Sequence, residues 1–321
     1  MRVAVLSGGR SSEHDVSLRS GASVARGMEA AGHEVVAVTI TREGGWNHDG
    51  AAVELAPGGG LLGAGAVFPA LHGAFGEDGS VQGLLEWLDV PYVGSDVLSS
   101  AICMDKLTLK RLLAQRGIPQ VDFAAVGEPG WREHCEEMGL PLWVKPSRMG
   151  SSVGITRVED IGELAGAVAA ALRHDPRVIV EASAAGREVE CSVLGNEELE
   201  TSLPGEIVAH ADWYDFEAKY REGGMELRVP APLSGRETTR VRELAGQIFK
   251  LAGCSGLARC DFFVEPDGEI LVNEINTMPG FTETSVYAKL LEASGIAYED
   301  LCDRLVRLAV ERHAEARSYE F

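Results

Sequence analysis

Apolar residues in this chain fall into short runs that alternate with longer stretches of helical spacing. Val3 to Ser7 reads as an apolar strand closed by Gly8-Gly9. A helix follows, with its apolar stripe near Val16, Ala22, Val24, Ala25 and Met28, and then a strand at Val35 to Ile40. That order predicts a βαβ opening. Residues 44 to 65 are glycine-rich and weakly patterned, which predicts a surface excursion. Ala66 to Leu71 gives a further strand, and a glycine-rich loop, His72 to Gly79, leads into a helix at Val81 to Leu88. Past a boundary near Pro91 to Ser95, the pattern predicts one long helix from Val97 to Arg116. Strands at Val121 to Val126, Leu140 to Lys145, Ile155 to Val158 and Val178 to Glu181 then alternate with helices at Trp131 to Met138 and up to Ala171. Strands at 187 to 194, 202 to 208 and 226 to 231 precede a helix at 236 to 252, a hairpin and two final helices.

The hairpin concentrates the chemistry. Gly256 to Gly280 reads as two strands joined by Pro266-Asp267-Gly268, with Arg259, Asp261, Glu274 and Asn276 at alternating positions. If Asp267 and Gly268 are the central turn residues, Asp261 faces Glu274 and Arg259 faces Asn276. All four side chains then share one face. The opposed carboxylates would lie roughly 5 Å apart at Cβ, which is unfavourable unless a cation lies between them. Oxygen ligands without His or Cys suit Mg²⁺. A solvated Arg/Asp/Glu cluster is the plainer alternative.

Composition narrows the partners. The chain has 321 residues, enough for two or three domains. No apolar run approaches the length of a membrane span, and the first residues lack a signal peptide's cleavage region, so a soluble, cytoplasmic protein is expected. Six cysteines are scattered without a Cys-x-x-Cys pair, which favours reduced, buried thiols. Formal charge is −20, from 49 acids against 29 bases. Such a surface repels nucleic acid and anionic membranes, so an anionic substrate must be held by local features. Three of the lysines, Lys106, Lys145 and Lys219, lie inside the motifs below.

Gly150-Ser-Ser-Val-Gly154 matches G-x-S-x-G, but a nucleophile elbow needs a helix directly after the serine. Here Ile155 to Val158 reads as a strand, so the segment is a hairpin loop rich in N–H and hydroxyl donors, suited to cover phosphates. Lys145 ends an apolar strand beside that loop and is a natural point charge for a phosphate. Lys106, in Met104-Asp-Lys-Leu107, is by position alone as consistent with a surface helix residue as with a ligand. Gly8-Gly9 lacks the dinucleotide spacing, and no Gly-Lys pair exists for a Walker A loop.

Taken in order, these motifs resemble those of the D-alanine:D-alanine ligases of the ATP-grasp superfamily. The likeness runs nearly end to end. It includes Ser7-Gly-Gly-Arg-Ser-Ser-Glu-His-Asp-Val-Ser17, Leu71-His-Gly73 with Gly76-Glu-Asp-Gly79, Met104-Asp-Lys106, and Val144-Lys-Pro146 with Gly150 to Gly154. Tyr214-Asp-Phe-Glu-Ala-Lys-Tyr220 and Asn273-Glu-Ile-Asn-Thr-Met-Pro-Gly280 complete it.

The resemblance implies an α/β chain with an ATP-grasp fold behind an N-terminal Rossmann-like domain. Its parts would be residues 1–95, an N-terminal substrate domain; 96–182, a central ATP-grasp subdomain; and 183–321, a C-terminal subdomain with the metal and substrate site. It would join two D-alanines for peptidoglycan synthesis. Lys106, Lys145, Ser151, Ser152 and Lys219 would bind ATP with Glu181 at adenine and Glu188 at ribose, and Asp261, Glu274 and Asn276 would bind two Mg²⁺, or Mn²⁺. Glu13 would pair with the first D-alanine's ammonium and His72 would lie near its carboxylate. Gly280, Ser285 and Val286 would meet the second substrate, its carboxylate on backbone N–H groups. Arg259 would stabilise the oxyanion of the tetrahedral intermediate. Tyr220, linked to Ser151 and Glu13, matches the dipeptide-forming members, whereas D-lactate enzymes carry histidine in the corresponding loop. D-alanine is thus favoured over D-lactate as second substrate, and D-serine is less firmly excluded. A non-catalytic nucleotide-binding protein of the same fold is a further alternative, opposed by the intact Arg259, Asp261, Glu274 and Asn276 set. Family members commonly form homodimers. They usually place a lysine and bulky residues after the interdomain strand, where this chain has Ala182-Ser-Ala-Ala185, a departure that bears on nucleotide affinity.

Overall fold

The computed structural model describes residues 1–150, 153–209 and 225–319. Its first sheet contains β1 (Arg2–Gly8), β2 (Glu34–Ile40), β3 (Trp46–His48), β4 (Ala51–Ala52) and β5 (Ala66–Pro69), in the order β4-β3-β2-β1-β5. β1 pairs in parallel with both β2 and β5, as the βαβ reading requires. Chain leaving the C-terminal ends of β1 and β5 brings Gly9 and His72 to one edge, the usual ligand position in a parallel sheet. Residues 44 to 65 are more than a surface excursion. β3 and β4 extend the sheet, Trp46, Val53 and Leu55 pack on its core, and Leu61 is buried.

Helix α1 (His14–Ala30) covers that sheet, but its buried face differs from the expected stripe. Ala22 is exposed and Ala25 half-buried, while Ser17, Ser20, Gly21, Ser23 and Gly27 are buried with Val16, Val24 and Met28. Small residues were needed because the backbone comes close to its neighbours. A Cβ on Gly21 would meet Ser7 Cβ at 2.4 Å, and one on Gly27 would meet Cys302 Sγ at 2.7 Å.

α2 (Ser80–Leu88) packs on the other face of the first sheet. The long helix expected next is two helices, α3 (Val97–Met104) and α4 (Lys106–Gln115). Asp105 breaks it, with an extended backbone (φ −90°, ψ 98°) and a side chain that accepts the Thr108 N–H at 3.1 Å. Helical periodicity continues across such a break, so the apolar pattern alone does not reveal it.

The second sheet is antiparallel, β6 (Phe123–Ala125), β7 (Leu142–Pro146), β8 (Thr156–Val158) and β9 (Val178–Ala182), in the order β6-β9-β7-β8. α5 (Trp131–Met138) and α6 (Leu164–Ala171) cover it. β7 and β8 form the expected hairpin, with Trp143 opposite Arg157, so no helix follows Gly150 to Gly154 and the elbow is excluded.

The third sheet, also antiparallel, holds β10 (Arg187–Gly195), β11 (Leu199–Thr201), β12 (Gly205–Ala209), β13 (Met225–Arg228), β14 (Gly256–Val264) and β15 (Ile270–Asn276). α7 (Gly235–Leu251) packs on it behind a capping box made by Ser234 and Glu237. α8 (Val286–Ala293) and α9 (Tyr298–Ala316) close the fold. They share one apolar core with the first sheet, in which Phe68 meets Phe281 edge-on at 5.0 Å. All six cysteines are buried free thiols. Among the described residues no helix is long and apolar enough to cross a membrane.

Candidate active site

The β14–β15 hairpin reaches the expected register by an unexpected route. Glu265 C=O accepts the Gly268 N–H at 2.9 Å, so Pro266 and Asp267 are the central turn residues and Gly268 (φ +87°) is the left-handed residue that follows. Val264 therefore faces Ile270, one residue off the expected pairing. A bulge between Asp261 and Phe262 then shifts the register back, so that Asp261 faces Glu274 and Arg259 faces Asn276. All four line one cavity of about 940 Å³.

Within it the Arg259 guanidinium grips Asp261 through two bonds, 2.8 and 2.7 Å, and approaches Glu190 Oε2 at 2.9 Å. Burial opposes the charge on Arg259, but Asp261 and Glu190 outweigh it and hold its pKa well above the usual value. Asn276 Nδ2 donates to Asp261 Oδ2 at 2.9 Å, and Lys106 Nζ lies 3.6 Å from Glu274. The break at Asp105 aims Lys106 here: as first residue of α4 it donates from Nζ to the Met149 carbonyl at 2.9 Å. Two opposed carboxylates and an amide are hard oxygen donors, which fit Mg²⁺ completed by phosphate and water oxygens. Among the described residues no three His, Cys, Asp or Glu converge as a ready-made cage.

On the second sheet Lys145 and Glu181 are diagonal neighbours on one face, since Trp143 pairs with Glu181 and Lys145 with Ile179. Glu181 pairs with Lys145 through one oxygen and with Lys110 Nζ, 3.0 Å away, through the other. Burial alone would raise the Glu181 pKa, yet the two lysines bring it down to about 2. Lys145, Glu181, Lys106, Glu188, Gly280, Ser285 and Val286 all line the same cavity as the hairpin cluster. The N-terminus of α8 opens on it, a favourable end for a carboxylate, although the Ser285 N–H already donates to the Thr282 carbonyl at 3.0 Å.

Glu13 and His72 stand one layer back. A Cβ on Gly73 would meet Glu13 Oε2 at 2.5 Å and one on Gly150 would meet it at 3.5 Å, so Glu13 joins three of the sequence motifs. His72 is buried, with Nε2 2.8 Å from Ser20 Oγ and Nδ1 3.0 Å from the Met278 carbonyl. A carbonyl can only accept, so Nδ1 carries the proton, and burial lowers the ring's pKa and keeps it neutral. Ser151, Ser152, Lys219 and Tyr220 lie outside the described residues.

Sequence reading missed Lys110 and Glu77. Lys110 sits between Leu109 and Leu113 on the buried stripe of α4, and a lysine on an apolar stripe was the available signal. Glu77 lines the cavity and accepts the Gly73 N–H at 2.6 Å. Burial first, and then the charge of Glu13, push its pKa up to about 8. It was visible only as part of a glycine-rich motif.

Comparison with known proteins identifies the family. Family models for the D-ala D-ala ligase N-terminus match residues 2–61 and 59–95, and the D-ala D-ala ligase C-terminus model matches residues 112–307. The D-alanine–D-alanine ligase of Solibacter usitatus is 43% identical over 330 residues, covering 100% of this chain and 99% of that protein. The solved D-alanine-D-alanine ligase of Coxiella burnetii superposes with a TM-score of 0.89 at 37% identity, over 99% of this chain and 96% of that one. The VanG D-Ala:D-Ser ligase of Enterococcus faecalis gives 0.86 at 34%, over 96% and 99%. With both halves matched in order and relatives aligned end to end, the chain belongs to the D-alanine–D-alanine ligase family, and its fold is the family's ATP-grasp fold behind an N-terminal α/β unit.

Proposed function

We propose that this protein joins two D-alanines to D-alanyl-D-alanine at the expense of ATP, as a step of cell-wall synthesis. The observation that carries the reading is the Arg259, Asp261, Glu274 and Asn276 cluster facing Lys106 and Lys145 across one cavity. The carboxylate of the first D-alanine attacks the γ-phosphorus of ATP, giving an acyl phosphate and ADP. The amine of the second attacks that acyl carbon, and collapse of the tetrahedral intermediate expels inorganic phosphate. Asp261, Glu274 and Asn276 hold magnesium, two ions in our reading, which offsets charge on the transferring phosphoryl group. Lys106 and Lys145 bind phosphate oxygens, with Ser151, Ser152 and Lys219 as further nucleotide contacts. Glu181 and Glu188 take the base and ribose. Arg259, kept cationic by its carboxylate neighbours, faces the developing oxyanion. Glu13 holds the first ammonium, with His72 behind it, and Gly280, Ser285 and Val286 receive the second substrate.

We further read the chain as three successive units, 1–95, 96–182 and 183–321, and as a cytoplasmic homodimer. Tyr220 favours D-alanine over D-lactate at the second position. The test is D-alanine-dependent release of ADP and phosphate, with the dipeptide identified, across D-alanine, D-serine and D-lactate. Glu274→Gln should stay folded yet lose most ligation and the thermal stabilisation by Mg²⁺-ATP. Near-normal turnover in that variant would sink the metal assignment, and ATP hydrolysis without dipeptide would sink the ligase reading.

A further inference from the structure

Lys110 follows Lys106 by one turn of α4, yet the two serve different spaces. Lys106 lines the cavity, whereas Lys110 is 1% exposed. Its Nζ lies 3.0 Å from Glu181 Oε1, 3.3 Å from the Val121 carbonyl and 5.7 Å from the centre of the Phe123 ring. Glu181 Oε2 is taken by Lys145, which lines the cavity. One carboxylate thus holds two ammonium groups, one sealed and one accessible. A sealed lysine is costly and is kept only with a partner, and Lys145 alone would suffice to neutralise Glu181.

We propose that Lys110 is a positioning residue for nucleotide binding, the permanent counter-ion of Glu181 that lets Lys145 leave that carboxylate for a nucleotide phosphate. The inference rests on the ATP reading of the cavity. Before nucleotide arrives Lys145 sits on Oε2. When it turns to a phosphate, Lys110 stays on Oε1, so Glu181 remains charged and compensated while Oε2 becomes open to an N–H donor. The exocyclic amino group of adenine supplies that donor, and a base with a carbonyl there does not. Recognition of the base is thereby tied to the grip on phosphate. Without Lys110, departure of Lys145 would strand a buried carboxylate.

Calorimetric titration of the full chain with Mg²⁺-ADP and with the inosine diphosphate analogue tests this without any amino acid. Lys110→Met should weaken ADP binding at least about tenfold and shrink the preference for ADP over the inosine nucleotide, while Lys110→Arg should stay near wild type. In Lys110→Met/Glu181→Gln there is no carboxylate left to hold, so affinity should return to that of Glu181→Gln alone. Wild-type ADP affinity in Lys110→Met, or a double-variant loss equal to the product of the single losses, overturns the proposal. Should Lys110→Met fail to fold, an ADP-bound structure of the wild type decides. Lys110 must remain on Glu181 with Lys145 on a phosphate; Lys145 still on Glu181, or Lys110 displaced, overturns it. No ADP binding by the wild type would count against the ATP reading itself, whereas binding indifferent to Lys110 counts against this inference alone.

Discussion

His72 at the end of the first sheet donates from Nδ1 to the carbonyl of Met278, 206 residues away in sequence. That bond ties the N-terminal unit to the loop after β15, and Ser20 on Nε2 holds the ring in place from α1. Replacing His72 by leucine leaves the Met278 carbonyl and the Ser20 hydroxyl short of a buried partner, which should cost about 3 kcal/mol in urea unfolding. The ring also predicts a pH dependence. Its folded pKa lies below the ordinary 6.5, so its contribution is complete above pH 6.5 and is lost as pH falls, when only the unfolded chain takes up the proton. An identical acid slope in His72→Gln would show that another group is responsible.

Glu77 has the opposite sign. Its folded pKa, about 8, is above the ordinary 4.5, so its contribution is present below pH 4.5 and is lost as pH rises through 8. Glutamine resembles the protonated form and can still accept the Gly73 N–H. Glu77→Gln should therefore match wild-type melting temperature near pH 5 and exceed it near pH 9. Equal melting temperatures at both values would mean that Glu77 ionises normally.

Asp105 sets the direction of Lys106. Its carboxylate accepts the Thr108 N–H and the Ser147 hydroxyl, the latter at 2.8 Å, and pairs with Arg177 at 2.5 Å. Asp105→Ala should cost about 2–3 kcal/mol from the lost cap and the orphaned partners, and should raise KM for ATP more than KM for D-alanine. Asp105→Asn keeps the cap and should cost about 1 kcal/mol. A helix that runs on unbroken in Asp105→Ala, with unchanged KM for ATP, would remove this role.

Tyr220 carries the prediction on substrate choice. A phenol there cannot become a cation at neutral pH, so the second D-alanine reacts as its free amine and ligation should quicken as pH rises toward the amine's pKa. A histidine can be cationic near pH 6 to 7 and would repel a protonated amine by about 1 kcal/mol. Tyr220→His should raise the D-lactate to D-alanine product ratio, most of all at mildly acidic pH. Product analysis from pH 6 to 9 checks it, and a constant ratio would place selectivity elsewhere.

The hairpin part of the site could be read from local sequence because its four residues sit on strands, where a period of two fixes the face. Arg259, Asp261, Glu274 and Asn276 share a cavity for that reason, although the pairing depends on a turn one residue out and a bulge that compensates. Neither irregularity leaves a mark in apolar periodicity. The break at Asp105 was hidden likewise, since a single capping residue interrupts the backbone without interrupting the stripe. On α1 the expected alanines gave way to serines and glycines because close packing against Ser7 and Cys302 decides burial there, and that distance is a tertiary fact. Lys110, on helix α4, was missed because its partner, Glu181, lies on β9, far along the chain.

The contact between α1 and α9 has a bearing on synthesis. Ser23 and Tyr298 are bonded across 275 residues of sequence, and Gly27 fits directly against the same helix. On the ribosome the first sheet and α1 emerge early, yet the surface that α9 covers stays bare until nearly everything between has been translated. Completion of the N-terminal unit is therefore a late event in biogenesis, and the nascent chain carries an adhesive face through most of its elongation. Slow translation of the middle segments would lengthen that exposure, making holdase chaperones more important for yield than for final stability.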